Sequence, residues 1–101
     1  MNALKVEIVK WLSNEPIPGW VEAQFTDARG KMRVFVDKPD MFTAEPVVAS
    51  TKFPVPGNLR CEIVDRGAGA DRSTISVRTF ETDTDGQDLF EVKADQVAIS
   101  S

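Results

Sequence analysis

Histidine is absent from the sequence, and cysteine occurs once, as Cys61. The commonest general base and metal ligand is therefore missing, and no intramolecular disulfide can form. No apolar run approaches the roughly 20 residues that span a bilayer. The first residues carry charged side chains where a signal peptide needs an apolar stretch. These absences predict a protein with no cofactor and no metal, away from membranes, in a reducing cytoplasm.

Charge of both signs is present, but it is unevenly distributed. The 101 residues have a formal net charge of −4, with 42% apolar and 28% charged residues, which is ordinary for one globular domain. Residues 81–95 alone contain six acidic residues and one basic residue. A phosphate backbone would be repelled by this segment, so nucleic acid is an unlikely partner there and a basic protein is a better one.

A period of two dominates the chain and predicts β-strands. In Leu4-Lys5-Val6-Glu7-Ile8 apolar and charged residues alternate, and a phase slip after Ile8 predicts a β-bulge. Further strands are predicted near 59–63, 75–79 and 89–93. The fold class is therefore all-β, a single domain over 1–101. We expect a small six-stranded barrel or a strongly bent antiparallel sheet, SH3-like or related. One short helical turn is expected near 40–45 with Asp40 as its cap, and the glycine-containing connection 65–71 is expected to be mobile.

The clearest hairpin surrounds Asp27-Ala28-Arg29-Gly30, which has the residue preferences of a type I turn. Pairing Thr26 with Lys31 places the apolar residues of both strands on one face. These residues are Val21, Ala23 and Phe25 on the first strand and Met32, Val34 and Val36 on the second. This register leaves Phe35 on the outer face opposite Glu22, with Trp20 near Asp37.

A Pro-x-Pro-Gly segment occurs twice, at 16–19 and at 54–57, with an offset of 38 residues. An apolar residue recurs at the same three alternate positions after each copy. Proline and glycine give each copy a stiff lead-in to a strand. One interpretation is an internal duplication of hairpin units 16–37 and 54–80. The other is coincidence within the general pattern of β-proteins.

Two local motifs are better explained by structure than by chemistry. The segment 81–86 begins like a calcium loop, but position 12 of such a loop would be Val92, so an acidic hairpin turn is the better interpretation. Cys61 has the parity of Leu59 and Ile63, which predicts a buried structural thiol. Catalysis by carboxylates alone needs a deep pocket that a domain of this size rarely has. We therefore expect no enzyme activity.

Three segments carry a resemblance to a known group of proteins. They are Val36-Asp37-Lys38-Pro39, Phe53-Pro54-Val55-Pro56-Gly57, and the segment 90–97, Phe-Glu-Val-Lys-Ala-Asp-Gln-Val. Together they resemble uncharacterised small bacterial proteins of about this length, among which immunity partners of secreted toxins occur. The resemblance implies an inhibitory role against a basic toxin and brings no catalytic residues.

The sequence thus favours a non-catalytic protein-binding domain, and the leading hypothesis is an immunity-like inhibitor that docks a basic partner through its acidic edge. A scaffold module of a larger assembly and a nucleic-acid-binding barrel are the alternatives. Inhibition of a basic partner requires the acids of 81–95 to be exposed together. A scaffold role requires an apolar patch or an unpaired strand edge. Nucleic-acid binding requires Arg29, Lys31 and Arg33 to lie away from acidic side chains. The oligomeric state is open. The candidate partner-binding residues are Trp20, Phe35, Asp83, Asp85, Asp88 and Glu91.

Overall fold

The computed structural model describes residues 2–17, 19–65 and 73–99. Residues 66–71 of the connection that was predicted to be mobile lie outside the described residues, and so does Pro18 of the first Pro-x-Pro-Gly segment. The strands are β1 (Asn2–Ser13), β2 (Trp20–Thr26), β3 (Met32–Asp37), β4 (Val55–Asp65), β5 (Thr74–Thr79), β6 (Leu89–Lys93) and β7 (Val97–Ile99). Two single 3-10 turns cover Pro39–Met41 and Ala94–Gln96.

All these strands belong to one antiparallel sheet, in the order β3-β2-β1-β4-β5-β6, with β7 paired to β1 outside this path. The sheet curls into a half-barrel, which confirms the prediction of a small, strongly bent all-β fold. The short strand β7 is an addition that the sequence pattern did not indicate. The described residues contain no helix of the length and apolar character needed to cross a membrane.

Strand β1 organises the sheet because it pairs with both hairpins. Its first half, from Asn2 to Ile8, pairs with β4, and its second half, from Glu7 to Ser13, pairs with β2. The register against β2 shifts between Ile8 and Lys10, so the predicted bulge after Ile8 is confirmed. A bulge increases the local twist and bends the strand, which lets one long strand serve two parts of the curled sheet.

The concave side of the sheet holds one hydrophobic core. Its members are Leu4, Val6, Ile8, Val21, Ala23, Phe25, Phe35, Phe42, Leu59, Cys61, Ile75, Val77, Phe90 and Val92. Cys61 is 2% exposed, as predicted, and its burial raises the pKa of the thiol. Three rings from β2, β3 and β6 pack together, with centroids 5.3 to 6.0 Å apart. The two ends of the strand order, β3 and β6, therefore face each other across the core.

The predicted register of the β2–β3 hairpin is wrong by one residue. Thr26 pairs with Met32, not with Lys31, and Phe25 lies opposite Arg33. The inward face of β2 is as predicted, but β3 turns its other face to the core. Phe35 is 1% exposed, whereas Met32 is 54% exposed.

The cause of this shift is Gly30. Its φ is +84°, and its backbone N–H donates to the carbonyl oxygen of Asp27. A type I turn followed by a left-handed residue adds one bulged residue to a hairpin loop. Asp27 therefore pairs with Lys31 across the loop, through a 2.9 Å hydrogen bond from the Asp27 N–H to the Lys31 carbonyl oxygen.

The two hairpins flank β1 in a similar way, since β2 and β4 both pair antiparallel with it and each continues into a partner strand. The peptide bonds Glu15-Pro16 and Phe53-Pro54 are both cis. The two lead-ins are not identical, because Gly19 has a φ of +111° and Gly57 has no positive φ. Internal duplication therefore stays a prediction.

The helical turn predicted near 40–45 is a 3-10 turn that begins earlier, at Pro39. Asp40 lies inside this turn and does not cap it, so that part of the prediction is wrong. Proline at the first position supplies a fixed φ suited to a turn start. The turn packs beside β4, where the carbonyl oxygen of Phe42 accepts a 2.6 Å hydrogen bond from the Asn58 N–H.

Candidate functional site

The predicted site residues do not form one exposed surface. Trp20 is half-buried, and Phe35 belongs to the core, so the expectation that Phe35 lies on the outer face is wrong. Asp83 is only 5% exposed and is not part of an exposed acidic edge, contrary to the prediction. Only Asp85, Asp88 and Glu91 keep carboxylates at the surface.

Asp83 is buried because it helps to hold an inward-pointing arginine. The Arg33 Nε donates a 3.0 Å hydrogen bond to Oδ2 of Asp27, and Arg33 Nη1 lies 3.8 Å from Oδ2 of Asp83. The guanidinium carbon also lies 5.2 Å from the centre of the Phe90 ring. Arg33 thus brings its charge to the rim of the core, where two carboxylates and an aromatic face compensate for the lost water.

The two carboxylates occupy equivalent positions in two similar turns. In the first turn, Asp27 Oδ1 accepts hydrogen bonds from the N–H groups of Arg29 and Lys31. In the second, Asp83 Oδ1 accepts from the N–H groups of residues 85 and 87. Each turn is therefore stabilised by the side chain of its own first residue, and Arg33 connects them.

The electrostatic state of Asp27 follows from these contacts. Burial acts to raise the pKa of its carboxyl, but hydrogen bonds from the Lys31 and Arg29 backbones and from the Arg33 side chain outweigh burial. The pKa is therefore lowered from its ordinary value. Asp27 carries its charge at neutral pH, as a partner of a partly buried arginine must.

Each remaining surface acid of the predicted set has a basic neighbour on the same chain. Lys31 lies 3.9 Å from Asp85, Arg29 lies 3.9 Å from Glu91, and Arg78 lies 3.8 Å from Asp88. These exposed pairs contribute little to stability. Their consequence is electrostatic: basic side chains of the β2–β3 turn and of β5 offset the charge of these three acids.

The largest exposed aromatic side chain, Phe80, lies beside a groove next to β4. The groove has a volume of about 480 Å³ and is lined by Ala3, Asp40, Met41, Asn58, Leu59, Arg60, Phe80 and Glu81. Phe80 is 62% exposed and Met41 is 41% exposed. Sequence analysis missed both residues. A signal was available, because Phe80 follows the inward residues Ile75, Val77 and Thr79 on the opposite parity, where a polar residue is usual.

The backbone of Phe42 and of Phe80 lies beside β4 in this groove. The Asn58 N–H donates to the Phe42 carbonyl oxygen, and the Phe80 N–H donates to the Arg60 carbonyl oxygen at 3.1 Å. Backbone groups of alternate residues in an antiparallel strand point to the same side, so Asn58 and Arg60 face away from β1. Among the backbone hydrogen bonds of the described turns and loops, none uses the Asn58 carbonyl oxygen or the Arg60 N–H.

An acidic pair lies at the rim of the groove. The hydrogen bond that protonated Glu81 donates to Asp37, burial, and the negative charge of Asp37 together raise the pKa of Glu81 to about 7 from its ordinary 4.5. Two neighbouring carboxyl groups cannot easily both ionise, so Glu81 holds its proton to a higher pH than an isolated glutamate does. The described residues contain no group of acidic or cysteine side chains that could hold a metal ion.

No family model, no curated protein and no solved structure matches this chain.

Proposed function

We propose that this chain is a non-catalytic domain that binds another protein, and that the groove beside β4 is its contact surface. The observation that carries the proposal is Phe80, a large aromatic side chain that is 62% exposed beside Met41. Aromatic residues dominate the binding energy of protein interfaces when a partner buries them. The backbone hydrogen bond from Phe80 to Arg60 fixes the main chain of Phe80, so little backbone order has to be created on binding.

The acidic edge at 81–95 is a weaker contact surface for a basic partner. Its most central acid, Asp83, is buried, and each of the other candidate carboxylates has a basic side chain within 4 Å. Such pairing reduces the long-range field that would steer a basic protein. An inhibitory, immunity-like role remains an expectation from resemblance, and it is compatible with either surface.

Nucleic acid is a less suitable partner for the same reason. The basic residues of the β2–β3 hairpin would have to meet phosphates, but Arg29, Lys31 and Arg33 are each paired with an acid. A phosphate would have to displace these carboxylates. A scaffold role differs from inhibition only in what the bound protein does, and the exposed Phe80 supports both.

The test is capture of the native partner from its own cell by the full chain, followed by affinity measurements on variants. We expect Phe80→Ala to weaken partner binding by about tenfold or more, as loss of an aromatic hot spot does. Met32→Ala is the matched control, because Met32 is 54% exposed at the turn end of β3 and does not line the groove. A partner that binds both variants equally, but loses affinity when Asp85, Asp88 and Glu91 become amides, would move the contact to the acidic edge.

A further inference from the structure

We propose that the groove receives one arginine side chain of its protein partner, with the alkyl part of that side chain against Phe80 and its guanidinium against Asp40 and Glu81. The inference rests on the proposed function and specifies the chemistry of the partner at that same surface. It requires an apolar wall, space for one long side chain, and negative charge that the chain's own basic residues do not neutralise.

The groove combines an apolar wall with enough space for a long side chain. Its apolar lining includes the exposed Phe80 and Met41 and the buried Leu59. Its volume of about 480 Å³ lies within the range of small-ligand pockets, about 300–1,000 Å³. The stem of an arginine covers apolar surface while its charged end stays near water, and a guanidinium also stacks on an aromatic face. An arginine therefore suits this wall.

The acidic residues of the groove lack the basic neighbours that the acids of 81–95 have elsewhere. None of the ion pairs among the described residues includes Asp40 or Glu81. Arg60 lines the same groove, yet it is also absent from these ion pairs. Two carboxyl groups against one basic side chain give the lining an acidic excess, which favours a cationic group of the partner over an acidic one.

Arginine fits such a lining better than lysine because of the shape of its charge. A guanidinium presents five donors in a planar fork that matches carboxylate oxygens, and it is more weakly hydrated than an ammonium. It also stays charged throughout the neutral pH range. Any pH dependence of binding therefore reports the groove and not the arginine.

Protonation of Glu81 couples binding to pH. The charged groups that face Glu81 are Asp37 at the end of β3, Asp40 in the first 3-10 turn and Arg60 on β4, and the other lining residues are uncharged. The pKa of Glu81 is raised to about 7 by the hydrogen bond to Asp37, by burial and by the charge of Asp37. A bound guanidinium favours the ionised carboxylate. Binding should therefore release this proton to solvent near neutral pH.

The test begins with random ten-residue peptides displayed on phage, selected on the full chain at about pH 8 and counter-selected on the Phe80→Ala variant. We expect the recovered peptides to share an arginine. A synthetic copy with citrulline in its place keeps the shape of the side chain and removes the charge, so it should bind about tenfold or more weakly. A lysine copy should also bind more weakly, because an ammonium lacks the planar fork.

The pH dependence of binding tests the role of Glu81. Between about pH 8 and about pH 6 this group passes from about nine-tenths to about one-tenth ionised, so affinity for the arginine peptide should fall by up to about tenfold. Glu81→Gln keeps a donor toward Asp37 but carries no charge, so it should bind weakly at both pH values. Glu7→Gln is the matched control, because Glu7 is exposed on β1 and does not line the groove.

Two further variants test the electrostatic assignment. Asp37→Asn should move the midpoint of the pH dependence below about 7, because it removes the charge that holds the proton on Glu81. Arg60→Gln should strengthen binding of the arginine peptide about twofold or more, because it removes the basic residue of the lining. Weaker binding by Arg60→Gln, together with selected peptides rich in aspartate or glutamate, would mean an acidic partner and would overturn the proposal.

The outcomes separate this inference from the proposed function. Equal binding of the arginine and citrulline peptides, or an affinity that Glu81→Gln does not change, would overturn arginine recognition and leave the groove as an apolar contact surface. Equal binding of the lysine peptide would overturn the choice of a guanidinium. Failure to recover any peptide that prefers the native chain to Phe80→Ala would also overturn the inference. Capture of the native partner that is insensitive to Phe80→Ala would overturn the proposed function as well.

Discussion

Arg33 is one of the residues that alternation alone places wrongly. An alternating pattern assigns charged side chains to the solvent face, yet the Arg33 side chain is only 18% exposed and its Nε lies 3.0 Å from Asp27. The pairing became possible because two turns, distant in sequence, each bury an aspartate near β3. A contact of this kind depends on the fold as a whole and cannot be inferred from the local spacing.

Removal of the charge of Asp27 should therefore be costly. We expect Asp27→Asn to lower the free energy of unfolding by about 2–4 kcal/mol, because it leaves Arg33 without its closest partner and weakens the turn. Urea denaturation measures the change. Asp85→Asn is the control, since its carboxylate is 63% exposed and its ion pair should contribute under about 0.5 kcal/mol. Similar losses for the two variants would contradict a structural role for the Asp27–Arg33 pair.

Two carboxyl groups should give stability opposite dependences on pH. The folded pKa of Glu81, about 7, is above its ordinary 4.5, so the folded chain holds this proton more tightly than the unfolded chain. This contribution is fully present below about pH 4.5 and is lost as pH rises toward about 7. The pKa of Asp27 is lowered, so its contribution is present above its ordinary 3.8 and is lost as pH falls below that value.

The prediction concerns the range from about pH 5 to about pH 8. Glu81→Gln should remove the decline in unfolding free energy that the native chain shows across this range, and Asp27→Asn should leave the decline in place. Urea denaturation at several pH values provides the measurement. An equal decline in the Glu81→Gln variant would show that Glu81 is not the titrating group.

At the level of elements, the β2–β3 hairpin provides the sharpest test of the packing. Phe35→Ala should lower the unfolding free energy by about 3–5 kcal/mol, because it empties a fully buried site between two other rings. Met32→Ala should cost under about 1 kcal/mol, since Met32 is 54% exposed. The one-residue shift predicted from alternation would exchange these two results, so the pair of variants decides the register.

Alternation predicted most strands correctly for a physical reason. Strands β1, β2, β4, β5 and β6 each present apolar residues to one core, so their period of two is visible in the sequence. Strand β3 is misleading because it is apolar at Met32, Val34 and Val36 on its outer side as well as at Phe35 on its inner side. The deciding feature was one left-handed residue, Gly30, whose bulge is set by turn geometry and not by hydrophobicity.

For the whole molecule, the curled sheet protects most of its edges. The Ala28 N–H donates to the carbonyl oxygen of Glu91, and the Thr84 N–H donates to that of Val34, so the two turns bridge the outer strands. Covered edges resist pairing with other chains. Against this background the groove next to β4 is notable, because it lies beside the exposed Phe80. The groove depends on strand pairing between distant parts of the chain. In the sequence, the one available signal was Phe80, an apolar residue at a position where the alternation predicts a polar one.

Charge also has a different meaning for the folded molecule than for the sequence. The acidic segment 81–95 has a local excess in the sequence, but folding brings the β2–β3 turn and β5 beside it, and their basic residues pair with its acids. Counting charge along the chain therefore overestimates the field of this edge. What remains distinctive on the surface is an apolar groove with acidic residues in its lining.

The most direct test of the groove is hydrogen exchange of the full chain, free and bound to its native partner, resolved to single amides. The account predicts that the partner slows exchange at Arg60 and at its neighbours along β4, and leaves exchange in the turn at residues 83–87 unchanged. Protection confined to residues 83–91, with Arg60 exchanging as fast in the complex as in the free chain, would contradict the account.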